Sequence, residues 1–346
     1  KETTQHNGLK FAAGTDAQTY YLYNAEKSFE VKNKELKDLS FKDTRLITTI
    51  GDTTFILTYT NLIILPKNGT IYHTNYDTNI GMLYTHAFRL GDSLYAFALY
   101  KPTTIINLKN LNKVYVGENK VITNVEKQAG YIISHNQGKG FTIYTHTGIM
   151  PLIVNNNQIA DIDDFTITPK NEIITLAENN LKLYQFNPIT FTTKLFNSFD
   201  FSSSFSDFTP KWITHDKQNH IVAIADKGIV IFDKYNPSYY LPLSNEKIIA
   251  KPKLDNQKRL LIEYEKSARL IALATYQNSI SVNNIAINAP IQLEEFSKAV
   301  VKISAITNET QIEGLYKFEI AKDTTPIYTH YSFTNETILD TALPNG

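Results

Sequence analysis

The chain repeats itself about every 40 residues, and that period limits its fold more than any other feature. Residues 165–186 read FTITPKNEIITLAENNLKLYQF, and residues 212–232 read WITHDKQNHIVAIADKGIVIF. Both run as an apolar stretch, a polar turn, a second apolar stretch, a tight turn and a third stretch. Short apolar runs bounded by turn residues read as strands, and two of them around a small turn read as a hairpin. Such a hairpin recurs about eight times, at spacings of about 37 to 57 residues. The turns fall at residues 14–18, 60–61, 101–103, 137–140, 179–180, 227–228, 266–268 and 323–325.

Two further short strands fit between successive hairpins, such as TIYHT (70–74) and MLYTHAF (82–88). Four short strands per unit make the blade of a β-propeller. A solenoid needs a shorter and more regular repeat, and a sandwich does not place eight similar hairpins in series. The expectation is an all-β, seven- or eight-bladed propeller of four-stranded antiparallel blades. No linker or composition shift divides it, so residues 9–346 read as one domain behind a polar, disordered lead-in at 1–8, KETTQHNG. The first unit reads as entering at its second strand, with TILDTAL (337–343) completing that blade. In the eight-hairpin series, one hairpin is then an accessory element if the blades number seven.

Composition supports strands and narrows the chemistry. Tyr, Phe, Ile and Thr are abundant, and these suit a pleated, half-buried surface. Lys plus Arg equals Asp plus Glu, giving a net charge of +0. A nucleic-acid binder shows a basic excess or stripe, and none is visible, so no nucleic-acid partner is expected. With no cysteine, disulfides, thiolate metal sites and cysteine nucleophiles are excluded. No apolar stretch approaches the roughly 18 residues of a membrane-spanning helix. The polar start and the absence of cysteine point to an extracytoplasmic setting: periplasmic, secreted or surface.

The repeats resemble those of WD-repeat and quinoprotein-like propellers. Thr168-Pro169-Lys170-Asn171 stands where those repeats carry a Ser-Pro-Asp-Gly-like turn, and Leu181-Lys182-Leu183-Tyr184 matches the next strand. His215-Asp216-Lys217-Gln218 and Ile229-Val230-Ile231-Phe232 take the same places in the later unit. The pattern covers nearly the whole chain, without the Gly-His and Trp-Asp signatures or the tryptophan-docking motif of quinoprotein blades. The resemblance implies that partners meet the face bearing the turns inside the hairpins. It implies no quinone, and no cofactor is expected.

Three constellations bear on function. Phe199, Phe201, Phe205 and Phe208 interleave with serines in FDFSSSFSDFTP (199–210). Aromatics on a polar loop make a recognition surface, since aromatics dominate interface hot spots. The alternative is that these rings pack between blades. His86 and His215 fall in innermost strands three units apart, placed to face each other over a central channel, and imidazole is a common metal ligand. Asp161 and Asp163 share one side of an extended segment and are suited to a Ca²⁺ site or an acid/base pair. Against both metal readings stand ordinary packing and turn roles. The catalytic motifs sought (G-x-S-x-G, Ser-x-x-Lys, a P-loop, G-x-G-x-x-G after a strand, H-E-x-x-H) are absent. The reading is a non-enzymatic binding or scaffold module for a protein partner. Its rivals are an enzyme or metal-binding propeller with a channel site, and a carbohydrate-binding propeller.

Overall fold

The computed structural model describes residues 2–5, 10–67, 72–75, 84–154, 161–243, 246–254, 259–273, 282–288, 301–307, 315–322, 325–334 and 336–339, except 17, 34, 99, 118–120, 152, 206, 217 and 266. One strand, β1 (Glu2–Gln5), precedes seven blades. Blade 1 is β2 (Lys10–Ala13), β3 (Thr19–Tyr23), β4 (Ser28–Lys32) and β5 (Glu35–Asp38). Blade 2 is β6 (Thr44–Ile50), β7 (Thr53–Thr58), β8 (Asn61–Pro66) and β9 (Tyr72–Asn75). Blade 3 is β10 (Tyr84–Leu90), β11 (Ser93–Ala98), β12 (Thr103–Asn107) and β13 (Lys113–Val116). Blade 4 is β14 (Ile122–Lys127), β15 (Ile132–Asn136), β16 (Gly140–Tyr144) and β17 (Ile149–Pro151). The short β18 (Ile153–Val154) then lies parallel on the outer edge of blade 5, which is β19 (Asp164–Ile167), β20 (Glu172–Ala177), β21 (Asn180–Asn187) and β22 (Thr192–Asp200). After α1 (Phe201–Ser204) comes blade 6: β23 (Trp212–His215), β24 (Ile221–Ala225), β25 (Gly228–Asp233) and β26 (Asn236–Pro242). Blade 7 is β27 (Lys253–Leu254), β28 (Arg259–Glu263), β29 (Ser267–Ala272) and, from the other end of the chain, β1.

Each blade grades from inside to outside. The second strand is sandwiched between neighbouring blades, so β24, IVAIA, is buried at every position. A strand covered on both faces reads as a continuous apolar run. The third strand β21 alternates buried and exposed side chains, and the outer β22 is largely exposed. Apolar clusters fill all seven seams between adjacent blades. Seven filled seams close a ring, which sets the blade number at seven.

Ring closure differs from the sequence expectation. Of the lead-in expected at 1–8, Glu2–Gln5 belong to β1, pairing antiparallel with β29 from Glu2↔Leu270 to Gln5↔Ser267, and residues 1 and 6–8 lie outside the described residues. Lending the first strand to the last blade ties the two ends of the ring and covers an otherwise free sheet edge. Blade 1 therefore begins at its innermost strand, β2. Of the segment expected to complete it, residues 337–339 lie elsewhere, since β34 (Glu336–Leu339) pairs with β31 (Val301–Thr307), which pairs with β30 (Val282–Asn288), and 340–343 lie outside the described residues. The eighth hairpin, β32 (Tyr316–Lys322) with β33 (Thr325–Ser332), forms its own two-stranded sheet outside the blades. It is the accessory hairpin.

Strand direction assigns the turns to faces. Turns between second and third strands, and connections between blades, share one face, here the upper face. The remaining turns occupy the lower face.

Candidate functional site

The phenylalanine segment connects β22 to β23 on the upper side of the seam between blades 5 and 6. Asp200 caps its single helical turn, accepting from the Ser202 amide at 2.8 Å, and the Phe205 amide donates to the Phe201 carbonyl at 2.8 Å. Phe201 is fully buried, and Phe205 and Phe208 are each 4% exposed. Phe199 packs partly buried against the same cluster. The exposed aromatic surface expected here is therefore absent. The rings fill the seam because each buried Phe contributes about 1.5–3 kcal/mol.

These rings do receive a partner, the chain's own accessory hairpin. Phe205 stacks on Tyr331 at 5.3 Å and on Phe333 at 5.4 Å between ring centroids, and a backbone bridge joins Phe205 to Tyr331. Blade 6 contributes Tyr240, stacked on Phe333 at 3.9 Å. Gly228 makes this possible, because a Cβ there would lie 2.3 Å from the Tyr240 ring. The Tyr240 hydroxyl then donates to the Lys227 carbonyl at 3.1 Å, holding the ring flat for Phe333.

The inner strands place both expected histidines but give them separate partners. His86, in β10, lies with Nδ1 3.1 Å from Thr85 Oγ1 and stacks on Phe88. Burial pushes its imidazole down to about 3, with Lys253 and Lys251 adding repulsion. His215, the last residue of β23, is buried with Nδ1 3.1 Å from Thr166 Oγ1. Asp161 and Asp163 are exposed. Asp163 accepts from the Glu178 amide at 3.1 Å, which fixes the upper turn of blade 5. Among the described residues no group of three His, Asp or Glu side chains is arranged to hold a metal ion. The metal set His86, His215, Asp161 and Asp163 does not assemble.

Their neighbour Asp164 is the carboxylate that matters. It opens β19, is 2% exposed, and accepts from the Ile213 amide at 2.9 Å and Asn124 Nδ2 at 3.1 Å. Lys251, on the connection entering blade 7, reaches Asp164 Oδ1 at 2.7 Å, the Phe165 carbonyl at 3.0 Å and Glu126 Oε1 at 3.6 Å. This bridge links blades 4 and 5 to the entry of blade 7, past blade 6. Burial pushes both carboxyls above their usual range, and Lys251 pulls them back. The sequence carried a signal for Asp164, an acidic residue opening an inner strand. It carried none for Lys251, whose partner is 87 residues away.

The upper face also exposes tyrosines at equivalent turns of neighbouring blades. Tyr59 is 40% exposed on blade 2, and Tyr100 is 63% exposed on blade 3. Tyr100 has a φ of 58°, a conformation rarely adopted by a bulky residue.

No family model matches the chain, and no curated protein matches it by sequence. Solved structures match it in shape. The structure of YCF48 bound to D1 peptide gives a TM-score of 0.58, covering 78% of this chain and 96% of that one at 9% identity. The Pan2 WD40 domain of Neurospora crassa gives 0.53, covering 75% of this chain and 86% of that one at 10% identity. The fold is that of a WD-repeat-like propeller. PorZ, described as an essential bacterial surface component of the type-IX secretion system of Porphyromonas gingivalis, gives 0.51 over 87% of this chain at 13% identity. The match covers 45% of the PorZ chain. Identities this low speak to fold alone. Among the described residues no helix is long and apolar enough to cross a membrane.

Proposed function

We propose that the chain is a non-enzymatic binding module that engages a protein partner through its upper face. The observation that carries this reading is the pair of exposed tyrosines at equivalent turns, Tyr59 and Tyr100. Tyrosine supplies large contact area with few rotatable bonds and is enriched in binding hot spots. Tyr100 also holds a left-handed backbone that costs a bulky side chain about 1–3 kcal/mol, a cost more common at functional positions than elsewhere. Chemistry in the channel has less support, since Asp164 and Glu126 there already serve Lys251. An extracytoplasmic setting is part of the proposal, supported by the absence of cysteine and by the likeness in fold to the surface component PorZ.

The test is site-specific photo-cross-linking from position 100 in the source cells, followed by reconstitution with the purified partner. The combined change Tyr59→Ala and Tyr100→Ala should weaken the reconstituted complex by about 100-fold, the ~2.7 kcal/mol of a hot-spot pair. The melting temperature should stay unchanged. Undiminished binding by this variant removes the upper face from consideration.

A further inference from the structure

The inner strands of blades 2, 3 and 4 share one irregularity at their second residue. Pairing skips one position between Thr44 and Leu46, between Tyr84 and His86, and between Ile122 and Asn124. The bulged residues are thus Arg45, Thr85 and Thr123. A β-bulge re-aims one side chain out of the ladder. In blades 3 and 4 the threonine satisfies itself locally: Thr85 Oγ1 donates to the Phe97 carbonyl at 3.3 Å, and Thr123 Oγ1 to the His135 carbonyl at 3.4 Å. Blade 2 breaks the pattern with an arginine. Its guanidinium lies 5.7 Å from the centre of the Tyr59 ring, and among the described residues its buried Nε–H has no acceptor.

A buried N–H left without an acceptor is costly, and it asks for an explanation. Two further cations stand at the same level of the ring. Lys10 opens β2 and Lys253 opens β27, the inner strands of blades 1 and 7. Blades 7, 1 and 2 are consecutive around the ring, and their inner strands all start at the upper face. Both lysine side chains are exposed, and among the described residues neither makes an ion pair. Although much of the side chain is exposed, Lys10 is held below the ordinary lysine range by partial desolvation and then by Lys253, with Arg45 also repelling it. Among the described residues the acidic group acting on it is Glu263, itself buried. Among the described residues Lys10 thus has two cations, Lys253 and Arg45, and one carboxylate, Glu263, as its charged neighbours. On the far side, Glu126 and Asp164 already hold Lys251.

We propose that Lys10, Arg45 and Lys253 form an anion-binding site at the upper mouth of the channel, which takes a carboxylate-bearing peptide segment of the protein partner. The assignment rests on the upper-face reading and deepens it. Arginine suits a carboxylate because its planar fork donates two parallel hydrogen bonds, and the Nε–H is one of those donors. Tyr59, stacked on the guanidinium, offers its outer side to the residue beside the acid. A polyanion fits less well, because the chain is neutral overall and the excess at the mouth is small.

The experiment follows the Arg45 Nε–H resonance of the full chain by NMR during titration. The probes are acetyl-Tyr-Glu-Glu-Gly-amide, its Tyr-Gln-Gln-Gly counterpart and inorganic phosphate. The acidic peptide should move the resonance along a saturable curve, and the glutamine peptide should leave it in place. The double change Lys10→Ala and Lys253→Ala, at exposed positions that leave the fold intact, should weaken acidic-peptide binding by about tenfold or more. Four outcomes overturn the proposal: no saturable shift, equal shifts from both peptides, an unaltered curve in the double variant, or phosphate binding without the peptide. Cross-linking at position 100 reads the upper-face proposal separately. A saturable titration with no cross-linked partner would spare the anion site and remove that reading. A partner bound through the tyrosines with no titration would do the reverse.

Discussion

Two seams of the same ring are built on opposite principles. Between blades 5 and 6, Phe201, Phe205 and Phe208 join aliphatic side chains of both blades, and Tyr331 of the accessory hairpin packs on them. Between blades 7 and 1, the buried cluster is Phe11, Leu22, Val31 and Ala268, with Tyr20, Phe29 and Leu261 partly buried beside it. The first seam lies where the chain runs on from one blade to the next. The second lies where the two ends meet, tied by a polar strand, Glu-Thr-Thr-Gln. The difference teaches that a closed ring does not need equal seams. One heavily packed seam lets another carry charge, and Lys10 and Lys253, which make no ion pair among the described residues, flank the lean one.

The largest test of this contrast compares one buried side chain in each seam. Phe201→Ala should cost about 3–5 kcal/mol in denaturant-induced unfolding, the range for a buried Phe. Val31→Ala should cost about 2 kcal/mol or less, from two lost methyl groups. Equal losses would mean that the seams contribute alike and that the contrast is only one of composition.

A smaller effect is expected where a polar bridge ties the two halves of the ring. Lys251→Met removes the cation shared by Asp164 and Glu126, which leaves one buried carboxylate short of its partner and the two repelling each other. Breaking a buried pair from one side costs about 3 kcal/mol. The Lys251→Met, Asp164→Asn double variant should recover much of that, because the uncompensated charge is then gone. Full loss in the double variant would show that Lys251 acts through packing of its stem.

Much of the ring was readable in sequence because its signal is local. Apolar runs such as HIVAIAD and GIVIF, with turns between them, need only neighbouring residues to be recognised. Closure was not readable, since a four-residue polar strand such as β1 carries no apolar pattern and is fixed by its pairing with β29. The phenylalanine segment shows the same limit. Interleaved Phe and Ser fit an exposed loop and a packed plug equally well, and the choice is made by Tyr331 and Phe333, more than 120 residues away. At the channel, His86 and His215 lie on inner strands, whose apolar runs are local signals. The groups that interact across the ring, Lys251 with Asp164 and Glu126, meet only through tertiary structure. Arg45 was invisible for a further reason: it stands out only when the bulges of three blades are compared.

The smallest effect concerns His86, which reports on the charge at the mouth. Its imidazole is pushed down from 6.5 to about 3, first by burial and then by Lys253 and Lys251. In the unfolded chain the same group takes up a proton near 6.5. Between these values the unfolded state binds more protons, so stability attributable to His86 is complete above about pH 6.5 and is lost as pH falls toward 3. Because the ring keeps partial access to water, the loss from pH 7 to pH 5 should be about 1 kcal/mol. His86→Gln should flatten that part of the stability profile, measured by denaturant titration at each pH. Lys253→Ala should raise the imidazole pKa, read from the histidine ring protons, and so should a carboxylate bound beside Lys253. A wild-type His86 that titrates at its ordinary value would mean that the mouth is fully hydrated. The lean seam would then differ from the packed one in apolar area and not in the electrostatics of the channel it borders.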